Sequence, residues 1–499
     1  MQTAYLNSPD FSFFSDAKIQ LDFIINHLSS SDCNDSEHGE VEKFICQQGN
    51  ELLRCLLQGF FDQKAANEVA LNSVASHHEG VLSHVRHSTS RQINSLFGEV
   101  IVCRKSYGHR NKKSQFPLDA ELNLPKDKYS DGLRHRVAKE VIRGSFDNTV
   151  EAIDTTTGGH VPKRQCLGLT QDVAQDFEAF YQKNRYQQKE ETADLLVLSF
   201  DGKGIVMRHN SLRECTKKAA KRNKKLESRL SPGEKKNRKR MAQVATVYTV
   251  KPHIRSAESI MKRRDGDETV KQFRAPARNK RVWASVEREA EAVIEEGFQE
   301  ALQRDPEQKR PWVVLVDGHP HQISQIKRVM KRLKIEATIV MDFIHVLEYL
   351  WKAAWCFFDA GDDQVESWVA DRALKILEGK SNQVAKGIRI SATKRALTDR
   401  TGVDKCAVYL LKNQTRLDYA SALSKGFPIA SGVIEGACRH LINDRLDITG
   451  ARWELEGAEA ILKLRSLKSS GDFDAYWEFH KQKSKQRLYG DLQIDGEII

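Results

Sequence analysis

The 499-residue chain has no uninterrupted apolar run of the roughly 18 residues that a membrane-spanning helix needs, which excludes a helical span and leaves no membrane partner to expect. Its opening, MQTAYLNSPDFSFFSDAK, lacks a basic segment followed by an apolar core, so a secretory leader is not expected either. The nine cysteines include no CxxC pair. That argues for reduced thiols in a cytosol and against a zinc knuckle or a disulfide framework. The GKG at 202–204 has no GxxxxGK[ST] frame around it, so a phosphate-binding ATPase loop is unsupported. No internal repeat is present.

What is abundant is positive charge. There are 79 Lys+Arg against 68 Asp+Glu, a net charge of +11 and a pI near 9.0. An excess of this size suits a polyanionic partner, nucleic acid first, although a protein can be merely basic. The apolar fraction of 40% and charged fraction of 29% are ordinary for a globular protein, and the length allows two or three domains.

Residues 1–95 read as a polar, helical N-terminal region, with Ile45, Leu52, Leu56 and Phe60 recurring on one helix face. Residues 96–190 read as a DNA-binding region. LFGEVIVCRKSYGHR (96–110) alternates like a strand, and three short helices come after it over 129–182. The break at Gly158-Gly159 and then Pro162 resembles a helix-turn-helix approach, with Lys163 and Arg164 entering the third helix; a plain helical hairpin fits the same residues.

The texture changes near 191. LLVLSF, MAQVATVYTV, KRVWASVE, PWVVLVDG and IEATIVMDF read as five strands, with helices at 288–304 and 323–334. Three strands, helix, strand, helix, strand is the order of an RNase H-like α/β core, in which three antiparallel strands are followed by two parallel crossover units. The first part of that core spans 191–345, a helical insertion 346–425, and its final helices 426–470. The tail, 471–499, reads as peripheral.

Three acids occupy comparable places: Asp201 at the end of the first strand, Asp317 at the end of the fourth, and Glu435 on the helix after the insertion, separated by 116 and 118 residues. Bare carboxylates at adjacent strand ends repel one another and protonate, and hard divalent cations relieve that. Two such ions about 4 Å apart can clamp the attacking and leaving oxygens of a phosphodiester. Each acid alone has a plain explanation. Asp201-Gly202 and Asp317-Gly318 are common turn pairs, and Glu435 is an ordinary helix residue. Glu435 nevertheless sits among Ile434, Gly436 and Ala437, a poor place for a solvated carboxylate.

Asp342 ends the fifth strand, and His345 lies one helical turn on; a helix N-cap explains Asp342 equally well. The run 213–240 holds thirteen Lys/Arg against three Glu, which suits a DNA backbone or a solvated helix. Arg439, His440, Arg445 and Arg452 surround Glu435, and 435, 439 and 442 share a helical face, so Arg439 is placed to reach a phosphate. Trp283 and Trp453 are better read as core than as base-stacking platforms.

FDGKGIVMR, RLSPGEKKNRKRMAQV, VWASVE, DFIHVLEYLWKAAWCFF and PIASGVIEGACRHLINDRLDITGARWELEGAEAILKLRSL closely resemble the transposases of the bacterial ISKra insertion-sequence group, DDE enzymes distantly similar to Mutator-type transposases. The likeness runs from about 195 to 480 and is looser from 96 to 190. It implies an RNase H-like catalytic domain with a helical insertion, and Mg²⁺-dependent cutting and joining of DNA ends. Carried onto this chain, Asp201, Asp317 and Glu435 are the catalytic acids and metal ligands, for two Mg²⁺ or, in their place, Mn²⁺. Asp342 and His345 match the acid-two-residues-His element of Mutator relatives and take an auxiliary role. Some relatives carry a cysteine pair where this chain reads RKSYGHRNKKSQFPLD, so zinc is doubtful here.

The expectation is a cytoplasmic, nucleoid-associated transposase. Its partners are the element's terminal inverted repeats and target DNA, and it acts as a homodimer or larger assembly because two ends must be brought together. An RNase H-like nuclease or resolvase, and a catalytically dead DNA-binding regulator on the same scaffold, are the rival readings.

Overall fold

The computed structural model describes residues 11–33, 35–76, 78–185, 190–222, 238–261, 276–448, 450–494 and 497–498. Most of the basic run, 223–237, lies outside them. The chain divides into two compact units, Met1–Phe180 with Asp474–Ile499, and Tyr181–Phe473. No helix among the described residues is long and apolar enough to cross a membrane.

The first unit opens with two helices, α1 (Ser15–Leu28) and α2 (His38–Asn67). The helical reading of residues 1–95 is corrected beyond them. From Val74 the chain forms strands β1 (Val74–Ser76), β2 (Gly80–Leu82) and β3 (His84–Ser95), and β3 pairs antiparallel with β4 (Gly98–Gly108). In β3, HVRHSTSRQINS, only Ile93 and Ser95 are buried, so the apolar alternation that betrays a strand is missing. Ile93, Val100 and Val102 pack with Phe61 of α2 and with Leu124.

After a short helix, Pro117–Glu121, come α3 (Asp131–Val141), α4 (Phe146–Thr156) and α5 (Lys163–Ala174); a further one, Phe177–Arg185, makes four where three were expected over 129–182. Ser130 caps α3 by accepting from the Leu133 N–H, and Ser145 caps α4 by accepting from Asn148. The Gly158-Gly159 break between α4 and α5 is pressed on the tip of the β3–β4 hairpin. A Cβ on Gly158 would lie 2.3 Å from the Phe97 carbonyl oxygen, and one on Gly159 would lie 2.4 Å from that of Ser95. These glycines admit backbone against backbone.

The tail is not peripheral. Helix Phe473–Tyr489 buries Tyr476 against the first unit, and the strand Leu492–Ile494 pairs with β1. Leu492 joins Val74, Leu82, Tyr107 and Ala120 in one buried cluster.

The second unit is built on a five-stranded sheet. Its strands are β5 (Leu195–Val206), β6 (Lys239–Val250), β7 (Arg278–Ser285), β8 (Trp312–Val316) and β9 (Thr338–Met341), in the spatial order β7-β6-β5-β8-β9. The pairs β5–β6 and β6–β7 are antiparallel, while β5–β8 and β8–β9 are parallel. Helices α6 (Ala290–Arg304) and α7 (Pro320–Leu333) connect β7 to β8 and β8 to β9. On α6, Gly297 lets the Phe200 ring approach: a Cβ there would be 2.7 Å from it.

After β9 come α8 (Phe343–Ala354), α9 (Gln364–Leu377), α10 (Ser381–Lys394), α11 (Thr401–Lys412), α12 (Tyr419–Ser424), α13 (Gly432–Cys438) and α14 (Leu455–Ser470). Helix α14 closes the β7 edge. Ser470, Ser466 and Glu459 accept from the backbone N–H groups of Val282, Ala284 and Val286, the donors a neighbouring strand would otherwise take. Trp283 and Trp453 are both buried.

Candidate active site

Asp201 does not end its strand. Strand β5 runs on to Val206, and its antiparallel pairing with β6 continues from Asp201↔Val244 to Val206↔Lys239. What ends near Asp201 is the pairing with β8, whose last rung is Ser199↔Leu315. Asp201 therefore sits where β5 parts from β8 and runs on with β6 as an antiparallel arm. Gly202 and Gly204 are strand residues of that arm, not a turn; a Cβ on Gly204 would meet the Lys239 side chain at 2.9 Å.

The parallel register defines the second position. Past the Ser199↔Leu315 rung, Asp201 follows two residues on along β5, and Asp317 follows two residues on, directly after β8. Both are half-buried. The Asp317 carboxylate accepts from the His319 N–H at 2.9 Å, and Gly318 turns the chain away with φ +99°. The insertion supports this turn. Tyr409 of α11 donates to the Asp317 carbonyl oxygen at 3.3 Å and stacks on Tyr349 of α8 with ring centroids 4.0 Å apart. Burial, then the neighbouring Tyr349 and Asp317, push the Tyr409 hydroxyl up, so it remains a donor.

Glu435 lies on α13 and is exposed. One turn on, the buried Cys438 donates its thiol hydrogen to Oδ2 of Asp201 at 3.1 Å. This bond joins the helix of the third acid to the strand of the first. Burial, followed by the Asp201 charge, pushes the Cys438 thiol up, which keeps it protonated and donating. Lys203, two residues past Asp201, is among the charges that act on the same thiol.

The helix then changes character. Arg439–Asn443 forms a π-turn, in which the Asp444 N–H donates to the Arg439 carbonyl five residues back. The extra residue rotates the downstream side chains, so the expected common face of 435, 439 and 442 is corrected: Glu435 and Arg439 are exposed, while Ile442 is buried.

Asp342 takes the cap position. It is 0% exposed and caps α8 by accepting from the Ile344 N–H at 2.7 Å. Its other oxygen accepts from the Ser431 N–H at 2.7 Å and from the Ser431 hydroxyl. Ser431 immediately precedes α13, so Asp342 fixes the start of the Glu435 helix to the end of β9. His345 is partly exposed on α8, 3.9 Å from Glu348.

The cations divide into two groups. Arg439 and His440 are exposed beside Asp444, and His440 holds it at 3.0 Å. Arg452 is exposed on a segment that runs beside the β5 arm, where Trp453 exchanges backbone hydrogen bonds with Val206 and Arg208. Arg445 is corrected as a surface contact. It is 2% exposed and lies over the Trp453 ring at 4.9 Å, and burial, then the Arg465 charge, lower its guanidinium to about 10. In the first unit, Lys163 and Arg164 are exposed at the start of α5, with Lys163 2.7 Å from Asp147.

The donor chemistry fits Mg²⁺, which takes carboxylate oxygens, keeps several waters and uses one or two protein carboxylates with substrate phosphates. Asp201 and Asp317 supply such a pair. Among the described residues no three His, Cys, Asp or Glu side chains form a group that could hold a metal ion, and the Glu435 helix meets Asp201 through Cys438. Cys438, Ser431, Tyr409 and Lys203 had no sequence signal of their own; each is revealed by what it touches or faces. No protein-family model matches the chain, and no curated protein matches it.

Proposed function

We propose that the chain is a DDE transposase of a bacterial insertion sequence, with an RNase H-like core that cuts and joins DNA in the cytoplasm at the nucleoid. The observation that carries this reading is that Asp201 and Asp317 each come two residues past the last rung that pairs the parallel strands β5 and β8, with the Glu435 helix bonded to Asp201 through Cys438. Asp201, Asp317 and Glu435 would hold the divalent ions. When bound there, Mg²⁺ would polarise the scissile phosphate and ease deprotonation of the attacking water or 3′-hydroxyl.

The rest of the work falls to the chain's own groups. Cys438 orients the Asp201 carboxylate. Asp342 and Tyr409 hold the segments that bear Glu435 and Asp317. Lys203, Arg439 and Arg452 offer positive charge to the DNA backbone beside the acids. The first unit, with Lys163 and Arg164 at the head of α5, would read the terminal inverted repeats.

The test is incubation of the full-length protein with labelled DNA carrying the repeats that flank its gene, in Mg²⁺ and in EDTA. Metal-dependent nicks at the repeat ends support the proposal. Cutting of branched DNA irrespective of the repeats supports a resolvase instead, and repeat binding with no cutting supports a DNA-binding regulator.

A further inference from the structure

Helix α2 carries an apolar face that the described residues of its own unit leave uncovered. Cys55 and Gly59 are buried, and Phe61 is buried in the core of the β3–β4 hairpin. A third face presents Ile45, Leu53, Leu56 and Phe60, exposed by 44, 42, 41 and 38%. Their spacing of eight, three and four residues keeps them on one stripe about 22 Å long. Gly49 interrupts the stripe, and a Cβ there would meet nothing within 4 Å. The stripe thus has a hollow between its knobs. On α1, Phe23 is exposed and its ring lies 6.2 Å from that of Phe44, the neighbour of Ile45.

Charge selects the occupant. Residues 11–67 contain nine Asp/Glu and four Lys/Arg in a chain that is otherwise strongly basic, so this hairpin repels a polyanion. The stripe ends in opposite signs, Glu42 near its start and Lys64 near its finish. An antiparallel two-fold pairing of α2 with itself sets Ile45 against Phe60 of a second copy. It sets Leu56 into the hollow at Gly49, brings the two Leu53 side chains together near the axis, and places Glu42 beside Lys64. Lys64 already holds Glu121 at 2.6 Å and keeps further donors free to share.

We infer that α2 is a self-association surface, and that two copies of this chain pair antiparallel along the Ile45–Phe60 stripe. The inference requires nothing of the proposed chemistry and is tested without DNA. Sedimentation equilibrium of the full-length protein at micromolar concentration reads the dimer directly. Leu56→Glu places a charge on an exposed position, and Gly49→Gln fills the hollow while favouring the helix of the monomer. The expected result is a wild-type dimer whose dissociation constant rises at least ten-fold in each variant, with unchanged circular dichroism and thermal unfolding of the dissociated monomer. A monomeric wild type, or a dimer that survives Leu56→Glu, overturns the inference. A dimer that loses affinity in Leu56→Glu but not in Gly49→Gln overturns the stated register.

Discussion

The Cys438 thiol donates to Oδ2 of Asp201 across 3.1 Å, tying the helix that bears Glu435 to the strand that bears the first acid. A hydrogen bond to a carboxylate contributes more than one between neutral groups. Cys438→Ser keeps the donor and Cys438→Ala removes it. We expect strand cleavage within a few-fold of wild type for Ser and about 10-fold slower for Ala. Pre-steady-state nicking assays check this, with repeat binding as the control. Because burial and Asp201 keep the thiol protonated, Cys438 should also resist alkylation at pH 8 in the folded protein while the exposed Cys46 and Cys215 react.

Asp342 and Asp317 should separate stability from chemistry. Asp342→Ala strips the α8 cap and leaves the Ser431 donors unmet in the core, a loss of roughly 2–4 kcal/mol. Asp317→Ala removes a half-buried carboxylate that accepts one local backbone bond, and should change stability by less than about 1 kcal/mol. Urea unfolding of the two variants checks the contrast. Equal stability losses would mean that Asp342 is not the structural member.

Gly158→Ala tests the seat of the helix-turn-helix-like segment. Its Cβ would fall 2.3 Å from the Phe97 carbonyl oxygen, so the hairpin tip or the α4–α5 connection must shift. We expect the first unit to melt lower and repeat binding to weaken, while Thr155→Ala, at an exposed position on α4, leaves both unchanged. Thermal melts and gel-shift titrations read the two effects.

Acid should loosen the first unit through Asp176. Burial alone would raise this carboxyl, but hydrogen bonds from His480 and Arg487 outweigh it and hold it at about 2, below its usual 3.8. A depressed folded-state value stabilises the protein above the unfolded value, so this contribution is present above about pH 4 and is lost as pH falls toward 2. Asp176→Asn should lower stability at neutral pH, and the gap to wild type should narrow between pH 4 and 2 in circular dichroism melts.

The strand segments of the second unit are legible because each is a short apolar run bounded by turn residues, as in LLVLSF and PWVVLVDG. Asp201 and Asp317 are legible because they come directly after those runs. The β3 strand was hidden by its polar composition, HVRHSTSRQINS. The extension of β5 past Asp201 was hidden because Gly202 and Gly204 read as breakers, whereas on the arm they face the side chains of β6. The burial of Arg445 and the rotation of Ile442 depend on the π-turn at Arg439–Asn443, a backbone event with no composition of its own. The contacts of Cys438, Ser431 and Tyr409 join residues 237, 89 and 92 positions away, and no local pattern encodes them.

The central claim, that Asp201 and Asp317 act together on a phosphodiester, is tested most directly by metal-dependent nicking of repeat-end DNA. The comparison is between wild type, Asp201→Asn, Asp317→Asn and the control Asp201→Asn/Asp317→Asn, all with repeat binding measured alongside. The account predicts that each single substitution abolishes nicking as completely as the double one and leaves binding intact. Nicking that survives Asp317→Asn with binding unchanged would contradict it.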